Sequence, residues 1–461
     1  LIQLSFHGAA ETVTGSKYLL ETAQTKLLID CGVFQGAREL RQRNWQDPPF
    51  EPASIDAVIL SHAHIDHIGY LPRLVRQGFT GKVVTTPPTK ELAAISLLDA
   101  AHIQEEDAAW RNKKKITRYE QALPLYTVKD AENALMLLQE KLYRRWYKVG
   151  PDVKFRYHVV GHLLGAAAVE VMVTENGKKT TILFSGDVGR YGNPLTIDPA
   201  NPPQCDYLVC ESTYGGRLHD PVDPRATFTE LINDIIKHKN VLLIPAFAIG
   251  RTQQIAYLVN ELIRHGLIPS IDIHIDSPMA VSATDVYTKY HSYHRMDIAN
   301  LGGENCILGG RNVFLHRKRH SSKQLNILKG PAIIMSSSGM LTGGRIMHHL
   351  MQRLPDPRTT VALVGYQAYG TPGRALSEGA TELRIHKETV PVKARVIHHH
   401  GLSGHADFHE IMHWLEPIKK APRRVFVTHG EVEQSEAMAG HFREERGWDC
   451  HLPKLGETVE L

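Results

Sequence analysis

Ser61-His62-Ala63-His64-Ile65-Asp66-His67-Ile68-Gly69 is the stretch on which the fold turns. The apolar residues 57–60 before it read as a buried strand, and residues 68–77 after it have helical spacing with Gly78 as the stop. Histidine offers a neutral imidazole nitrogen and aspartate an anionic oxygen, both good zinc ligands. The alternation at His62 and His64 aims two imidazoles the same way as the chain leaves the strand. The turn into the helix lets Asp66 and His67 face a second metal nearby.

Working outward, segments 2–6, 17–21 and 26–30 read as strands, the last ending at Asp30. A helical stretch is expected over 89–142, including the polar portion EEDAAWRNKKKITRYEQ. Strands resume near Phe155, at 168–173 and at 180–184, the last running into Ser185-Gly186-Asp187. After Cys205 strand and helix alternate: 207–210, 225–238, 241–244, 251–265 and 271–275. Such alternation predicts a parallel α/β unit. The Gly-rich LGGENCILGG interrupts it, and a further strand is expected at 332–335. From Val392 the pattern returns to strand, loop, helix, strand, the last at 425–428. The expected organisation is a host domain over 1–205 and 391–461, split by an inserted α/β domain over 206–390.

Length and composition agree with this. A chain of 461 residues, 42% hydrophobic and 22% charged, can bury two or three cores and is neither disordered nor fibrous. A formal charge of +4 does not by itself imply a polyanionic partner. Basic clusters occur at 113–115, at Arg144 with Arg145, and at 317–319, each of which alone reads as a solvated face. Cys31, Cys205, Cys210, Cys306 and Cys450 contain no CxxC pair, so free thiols in a reducing compartment are expected. The first residues, LIQLSFHGAA, read as a strand rather than a signal sequence, and no apolar run approaches a membrane span. A cytoplasmic protein is the expectation, with a trimmed leader left open by the missing initiator Met.

SHAHIDHIG resembles the HxHxDH signature of the metallo-β-lactamase superfamily, and the chain carries the superfamily's other elements in order. Asp30 is similar to the aspartate that orients the metal loop. His162 in GHLLGA resembles the third ligand motif, and Asp187 in FSGDVGR the bridging aspartate. The resemblance implies two zinc ions per chain. His62, His64, His162 and Asp187 would take one; Asp66, His67 and the shared Asp187 would take the other. The superfamily motif alone leaves lactam, thioester, lactone and phosphodiester substrates open.

The second half narrows the choice. A long insertion separates Asp187 from the last motifs, and these resemble the β-CASP nucleases. Glu211 in VCESTYGG matches their acidic motif, His405 in LSGHAD the next, and His429 in VFVTHGE the last. The implied fold is α/β: a metallo-β-lactamase αββα sandwich with an inserted β-CASP domain. The implied activity is hydrolysis of single-stranded RNA to 3′-hydroxyl and 5′-phosphate products, a histidine at 429 pointing to RNA rather than DNA. His429 would complete the second metal site. His405 would be the general acid, kept cationic by Glu211, and Asp66 a proton acceptor.

Three further loops resemble phosphate-handling segments of the family: IPAFAIGRTQQ with Arg251, SSSGMLTGGR with Ser336, Ser337, Ser338 and Gly339, and GYQAYGTPGR with Arg374. An ordinary turn is the alternative at each. His398, His399 and His400 match no ligand motif and read as structural or solvent-facing. The chain ends soon after His429, so an additional C-terminal assembly domain and an N-terminal KH-type extension are expected to be absent. A hydrolase of small esters or thioesters conflicts with the insertion. A di-iron flavoprotein would need Glu where His64 stands. A non-catalytic RNA-processing subunit would have lost ligands that are all present here. Internal cutting, 5′ to 3′ trimming and a homodimer all stay open.

Overall fold

The computed structural model describes residues 2–115, 120–219, 223–296 and 310–461. Cys306, residues 116–119 of the polar helical stretch and all but the last residue of LGGENCILGG lie outside the described residues. Contacts divide the chain into two units. One comprises Leu1–Asn193, Ile197–Leu218 and His405–Leu461; the other comprises Pro194–Thr196 and His219–Gly404.

Among the described residues the first unit is built on two seven-stranded sheets. In one, Thr458–Glu460, Gln3–Phe6, Tyr18–Glu21, Lys26–Ile29, Ala57–Ile59, Lys82–Thr85 and Leu138–Glu140 lie side by side. In the other the order is Cys450–His451, Arg424–Thr428, Tyr207–Glu211, Lys178–Phe184, Ala167–Glu175, Val153–Val159 and Tyr147–Lys148. Period-two alternation sends Leu4, Phe6, Leu20 and Ile29 from the first sheet, and Phe155, Tyr157, Val169, Val171 and Phe184 from the second, into one shared core. This is the expected metallo-β-lactamase sandwich.

Two expectations for this unit are corrected. The helix foreseen over 89–142 is Pro87–Lys113, followed after a break by the short helix Val128–Leu135 and then the edge strand Leu138–Glu140. The Thr127 capping box, in which Thr127 and Asp130 exchange side-chain-to-backbone hydrogen bonds, starts a new helix where continuation was expected. The insertion does not begin at 206 either. Tyr207–Glu211 pairs in parallel with Lys178–Phe184 on one side and Arg424–Thr428 on the other, so it is a central strand of the host sheet.

In the second unit six strands, all parallel, lie in the order Val313–Leu315, Asp272–Ile275, Ala332–Ser336, Val241–Pro245, Thr359–Leu363 and Arg395–His398. The expected boundary at 390 puts Arg395–His398 in the host domain, but its register with Thr360–Leu363 places it in this sheet. Both errors have one cause: a strand's sequence does not reveal which sheet will pair with it. A two-stranded hairpin, Glu382–Ile385 with Glu388–Pro391, completes the unit's sheets among the described residues.

Candidate metal centre

Every element carrying the centre ends a strand of the first unit. The chain leaves Ala57–Ile59 through Ser61 and turns into Ile65–Ile68. That turn packs against Gly32 so closely that a Cβ there would stand 1.6 Å from the Asp66 carbonyl oxygen. Asp30 and His429, each directly after a strand, have left-handed backbones with φ of 59° and 51°. Such conformations cost energy in non-glycine residues, and here both turn a side chain back toward the centre.

His62, His64, His162 and Asp187 form one cluster, and Asp66, His67 and His429 form another. His62 Nε2 and His162 Nε2 each lie 3.1 Å from His64 Nδ1. Asp187 Oδ2 stands 3.4 Å from His62 Nε2 and 3.6 Å from His162 Nε2. The other oxygen, Oδ1, faces the second cluster, 3.3 Å from His67 Nε2 and 3.6 Å from His429 Nδ1. Within that cluster the Nε2 atoms of His67 and His429 are 3.1 Å apart, and Asp66 Oδ2 is 3.8 Å and 3.6 Å from them respectively. One carboxylate therefore addresses both groups.

The residues fit a pair of cations. Ligands about 2.0–2.1 Å from a tetrahedral zinc stand roughly 3.3 Å from one another, and the separations here are of that size. Among the described residues none makes a hydrogen bond to buried Asp187 Oδ1, an expensive arrangement unless a cation sits beside it. Burial, reinforced by His67 for His62 and by His162 for His64, lowers the pKa of both rings well below the ordinary value and keeps them neutral. Burial works against ionising Asp187, but His429, His67 and His62 outweigh it and hold its pKa well below the usual carboxylate range.

Asp30 supports the cluster from behind. Its Oδ2 lies 2.8 Å from His67 Nδ1, while its carboxylate accepts from the Ser61 backbone N–H and hydroxyl, each at 2.7 Å. This leaves His67 Nε2 pointing at the centre, the arrangement by which a carboxylate orients a metal-binding histidine. Burial disfavours a charged His67, yet Asp187 and Asp30 together hold its pKa well above normal in the metal-free protein.

His405 and Glu211 stand at the same centre. Glu211 is 1% exposed, accepts the Val188 N–H at 2.6 Å, and places its oxygens 3.3 Å and 3.2 Å from His405 Nδ1. His405 is stitched to the Asp187 loop by a bridge to Gly189 and by the Ala406 N–H donating to the Val188 carbonyl at 2.7 Å. Its Nδ1 is 4.0 Å from Asp187 Oδ2. Burial opposes the imidazolium, but Glu211, then Asp187 and Asp66, raise the pKa to about 9.

Ser61 and Thr213 also support the centre, although no motif in the sequence marks them as doing so. Ser61 Oγ lies 3.0 Å from His62 Nδ1, and Thr213 Oγ1 lies 3.2 Å from His429 Nδ1. Both sit within two residues of a recognised motif residue, and position alone was the available signal.

The foreseen phosphate loops gather at the C-terminal edge of the parallel sheet in the second unit. Pro245 and Ser336 are register partners, Gly339 packs on Phe247, and the Gly373 N–H donates to the Met340 carbonyl. Their side chains, however, have internal partners. Arg251 is buried and donates to Gln254 at 2.6 Å; Arg374 Nε donates to Glu378 at 2.5 Å. Ser336 donates to the Asp276 carbonyl at 2.9 Å, Ser337 to Ser277 Oγ at 2.7 Å, and Ser338 Oγ lies 3.1 Å from Thr342 Oγ1. The loop core is buried Asp276, whose carboxylate binds Arg345 at 2.7 Å, His349 at 2.7 Å and Ser322 at 2.6 Å. The members of this network are scattered between positions 276 and 349, so no local motif marks it in the sequence. His399 is buried against Phe228, as a structural residue would be.

Fold and site together define a metallo-hydrolase of the metallo-β-lactamase class. Family models match in three places: the metallo-beta-lactamase superfamily over 12–233, the Beta-Casp domain over 252–376, and a Zn-dependent metallo-hydrolase RNA specificity domain over 389–453. A ribonuclease of Thermus thermophilus is 36% identical over 98% of this chain and 99% of its own. An RNase J-like protein of Methanocaldococcus jannaschii is 32% identical over 95% of both chains. The transcription termination factor FttA of Methanosarcina mazei is 31% identical over 100% of this chain and 72% of its own. A crystal structure of an Enterococcus faecalis protein of unknown function shares the fold with a TM-score of 0.55 at 12% identity, covering both chains fully. The chain belongs to the β-CASP family of metallo-β-lactamase-fold hydrolases.

Proposed function

We propose that this protein is a zinc-dependent ribonuclease that hydrolyses phosphodiester bonds of single-stranded RNA to 3′-hydroxyl and 5′-phosphate products. The observation that carries the reading is the joint position of two ligand clusters sharing Asp187 and an imidazole, His405, held by a buried carboxylate beside them. The similarity to a Thermus ribonuclease along nearly the whole chain supports RNA as the substrate.

His62, His64, His162 and Asp187 would hold one zinc, and Asp66, His67, His429 and Asp187 the other. When bound, the metal pair supplies an activated water and neutralises charge on the phosphoryl oxygens. The chain's residues do the rest. Asp66, whose pKa His429 and His67 bring down to about 2 against the effect of burial, stays anionic and can accept a proton from the attacking water. His405 donates a proton to the departing 3′-oxygen. Glu211 keeps that ring cationic and fixes it through Nδ1, leaving Nε2 for the leaving group. Asp30 and Ser61 hold the histidines in register.

We infer internal cutting, with 5′ to 3′ trimming as a further mode, in the cytoplasm where RNA is exposed. No helix among the described residues is long and apolar enough to cross a membrane. The test is incubation of zinc-loaded protein with 5′- and 3′-labelled single-stranded RNA, following product lengths over time. Cleavage that EDTA abolishes and zinc restores is expected; an unchanged RNA overturns the proposal.

A further inference from the structure

Residues 141–158, KLYRRWYKVGPDVKFRYH, carry six cations (Lys141, Arg144, Arg145, Lys148, Lys154 and Arg156) against one acid, Asp152. The whole chain has a net charge of only +4, so this short hairpin concentrates more positive charge than the entire protein shows in sum. It forms the edge of the second sheet in the first unit, Tyr147–Lys148 pairing antiparallel with Val153–Val159.

The two faces of the hairpin differ. Phe155 and Tyr157 turn inward to the core, where Tyr143 and Tyr147 pack against them. The opposite face carries Trp146, Lys148, Lys154 and Arg156. Lys148 and Lys154 are direct register partners, a like-charge pairing that destabilises a strand pair. Lys154 Nζ stands 4.7 Å and the Arg156 guanidinium carbon 4.5 Å from the Trp146 ring centre. An aromatic ring holds cations in place without cancelling their charge, as a carboxylate would. Arg156 also binds Glu170, but among the described residues no carboxylate lies within ion-pair distance of Arg144, Arg145, Lys148 or Lys154. Arg144 and Arg145 are exposed just before the strand Tyr147–Lys148.

Lysine on an edge strand also blunts edge-to-edge association. That role needs one or two charges; it does not account for an exposed arginine pair ahead of the strand or for cations held over a tryptophan. The strand that carries Lys154 and Arg156 runs directly toward His162. Lys154 precedes that residue by eight positions, at most about 27 Å of extended chain.

We propose that this face is an auxiliary binding surface for the phosphate backbone of single-stranded RNA, holding substrate outside the metal centre. The proposal rests on the ribonuclease reading for its biological use, but the surface is testable without it. Backbone neutralisation of this kind is sequence-independent and salt-dependent, affinity falling with salt as about −0.7 per neutralised phosphate on logarithmic axes for single strands.

The experiment compares the zinc-loaded wild type with the triple variant Arg145→Ala, Lys148→Ala, Lys154→Ala. Affinity for fluorescent RNA of two lengths, one too short to span from centre to surface and one several times longer, is measured by anisotropy over a salt series. Steady-state cleavage of both RNAs accompanies it. For the long RNA we expect the variant's KM and Kd to rise about 10-fold or more at low salt and its salt slope to fall by about 2. Its kcat and its handling of the short RNA should match wild type. A long-RNA Kd and salt slope equal to wild type overturn the proposal. A wild type that cuts no RNA yet shows this binding difference would sink the ribonuclease reading and support the surface.

Discussion

The metal centre of the first unit and the strand-end loops of the second are both built where chains leave the C-terminal ends of strands, yet they are opposite in state. At the centre, imidazole nitrogens and carboxylate oxygens converge, and among the described residues none makes a hydrogen bond to buried Asp187 Oδ1. At the loops, Arg251, Arg374 and the three serines are paired with neighbours inside the same unit. The first arrangement is prepared for cations before they arrive. The second is closed on itself, so a phosphate there must compete with existing hydrogen bonds or be met by backbone N–H groups. Preorganisation, rather than residue type, separates the stronger site from the weaker.

The sharpest way to break this contrast is Asp187→Ala. Because each carboxylate oxygen faces a different cluster, the variant should lose both metal equivalents and at least about 10³-fold in cleavage rate. Elemental analysis decides it: a variant that retains a full complement of zinc would show that Asp187 does not join the clusters.

His405→Ala should be nearly as damaging to rate, by roughly 10²–10⁴-fold, but should leave zinc content and RNA affinity close to wild type. Loss of zinc in this variant would make His405 a ligand and remove it from the proton-transfer role.

Asp30→Asn tests the support behind the centre. Weakening the hydrogen bond to His67 Nδ1 should lower zinc affinity by about 10–100-fold, read from competition with a chelator. Unchanged affinity would mean that the backbone turn alone orients His67.

A smaller effect is expected in the pH profile. His405 has a pKa raised to about 9, so its cationic form, the one the proposed proton transfer needs, is present below that value and is lost as pH rises through it. The cleavage rate should fall over that alkaline range. Glu211→Gln removes the main group that raises the pKa and should move the fall to lower pH. An alkaline limb that stays in place would assign it to another group.

The smallest effects belong to the loops. Ser337→Ala and Ser338→Ala should each change cleavage of a 5′-monophosphorylated RNA by less than about 10-fold, the scale of one neutral hydrogen bond. Comparison of 5′-hydroxyl, monophosphate and triphosphate forms of one RNA reads the effect. A larger, monophosphate-specific loss would show that the loop opens to bind a terminal phosphate and would narrow the contrast with the metal centre.

The residues that the structure gathers into the two candidate metal clusters, and the sandwich that carries them, were legible along the chain. Metal chemistry admits few residue types, so His62, His64, Asp66, His67, His162, Asp187 and His429 left a trace in spacing and flanking glycines. Alternating apolar residues likewise showed most strands of the two sheets. Tertiary structure alone decided what depends on partners distant in the chain. It placed Tyr207–Glu211 between Lys178–Phe184 and Arg424–Thr428, and it put Arg395–His398 into the parallel sheet. It also turned the loop serines and arginines toward internal acceptors and gathered Asp276, Ser322, Arg345 and His349 into one network. Pairing and hydrogen-bond satisfaction are properties of neighbours in space, whereas ligand chemistry and periodicity are properties of the residues themselves, and only the latter can be read along a single chain.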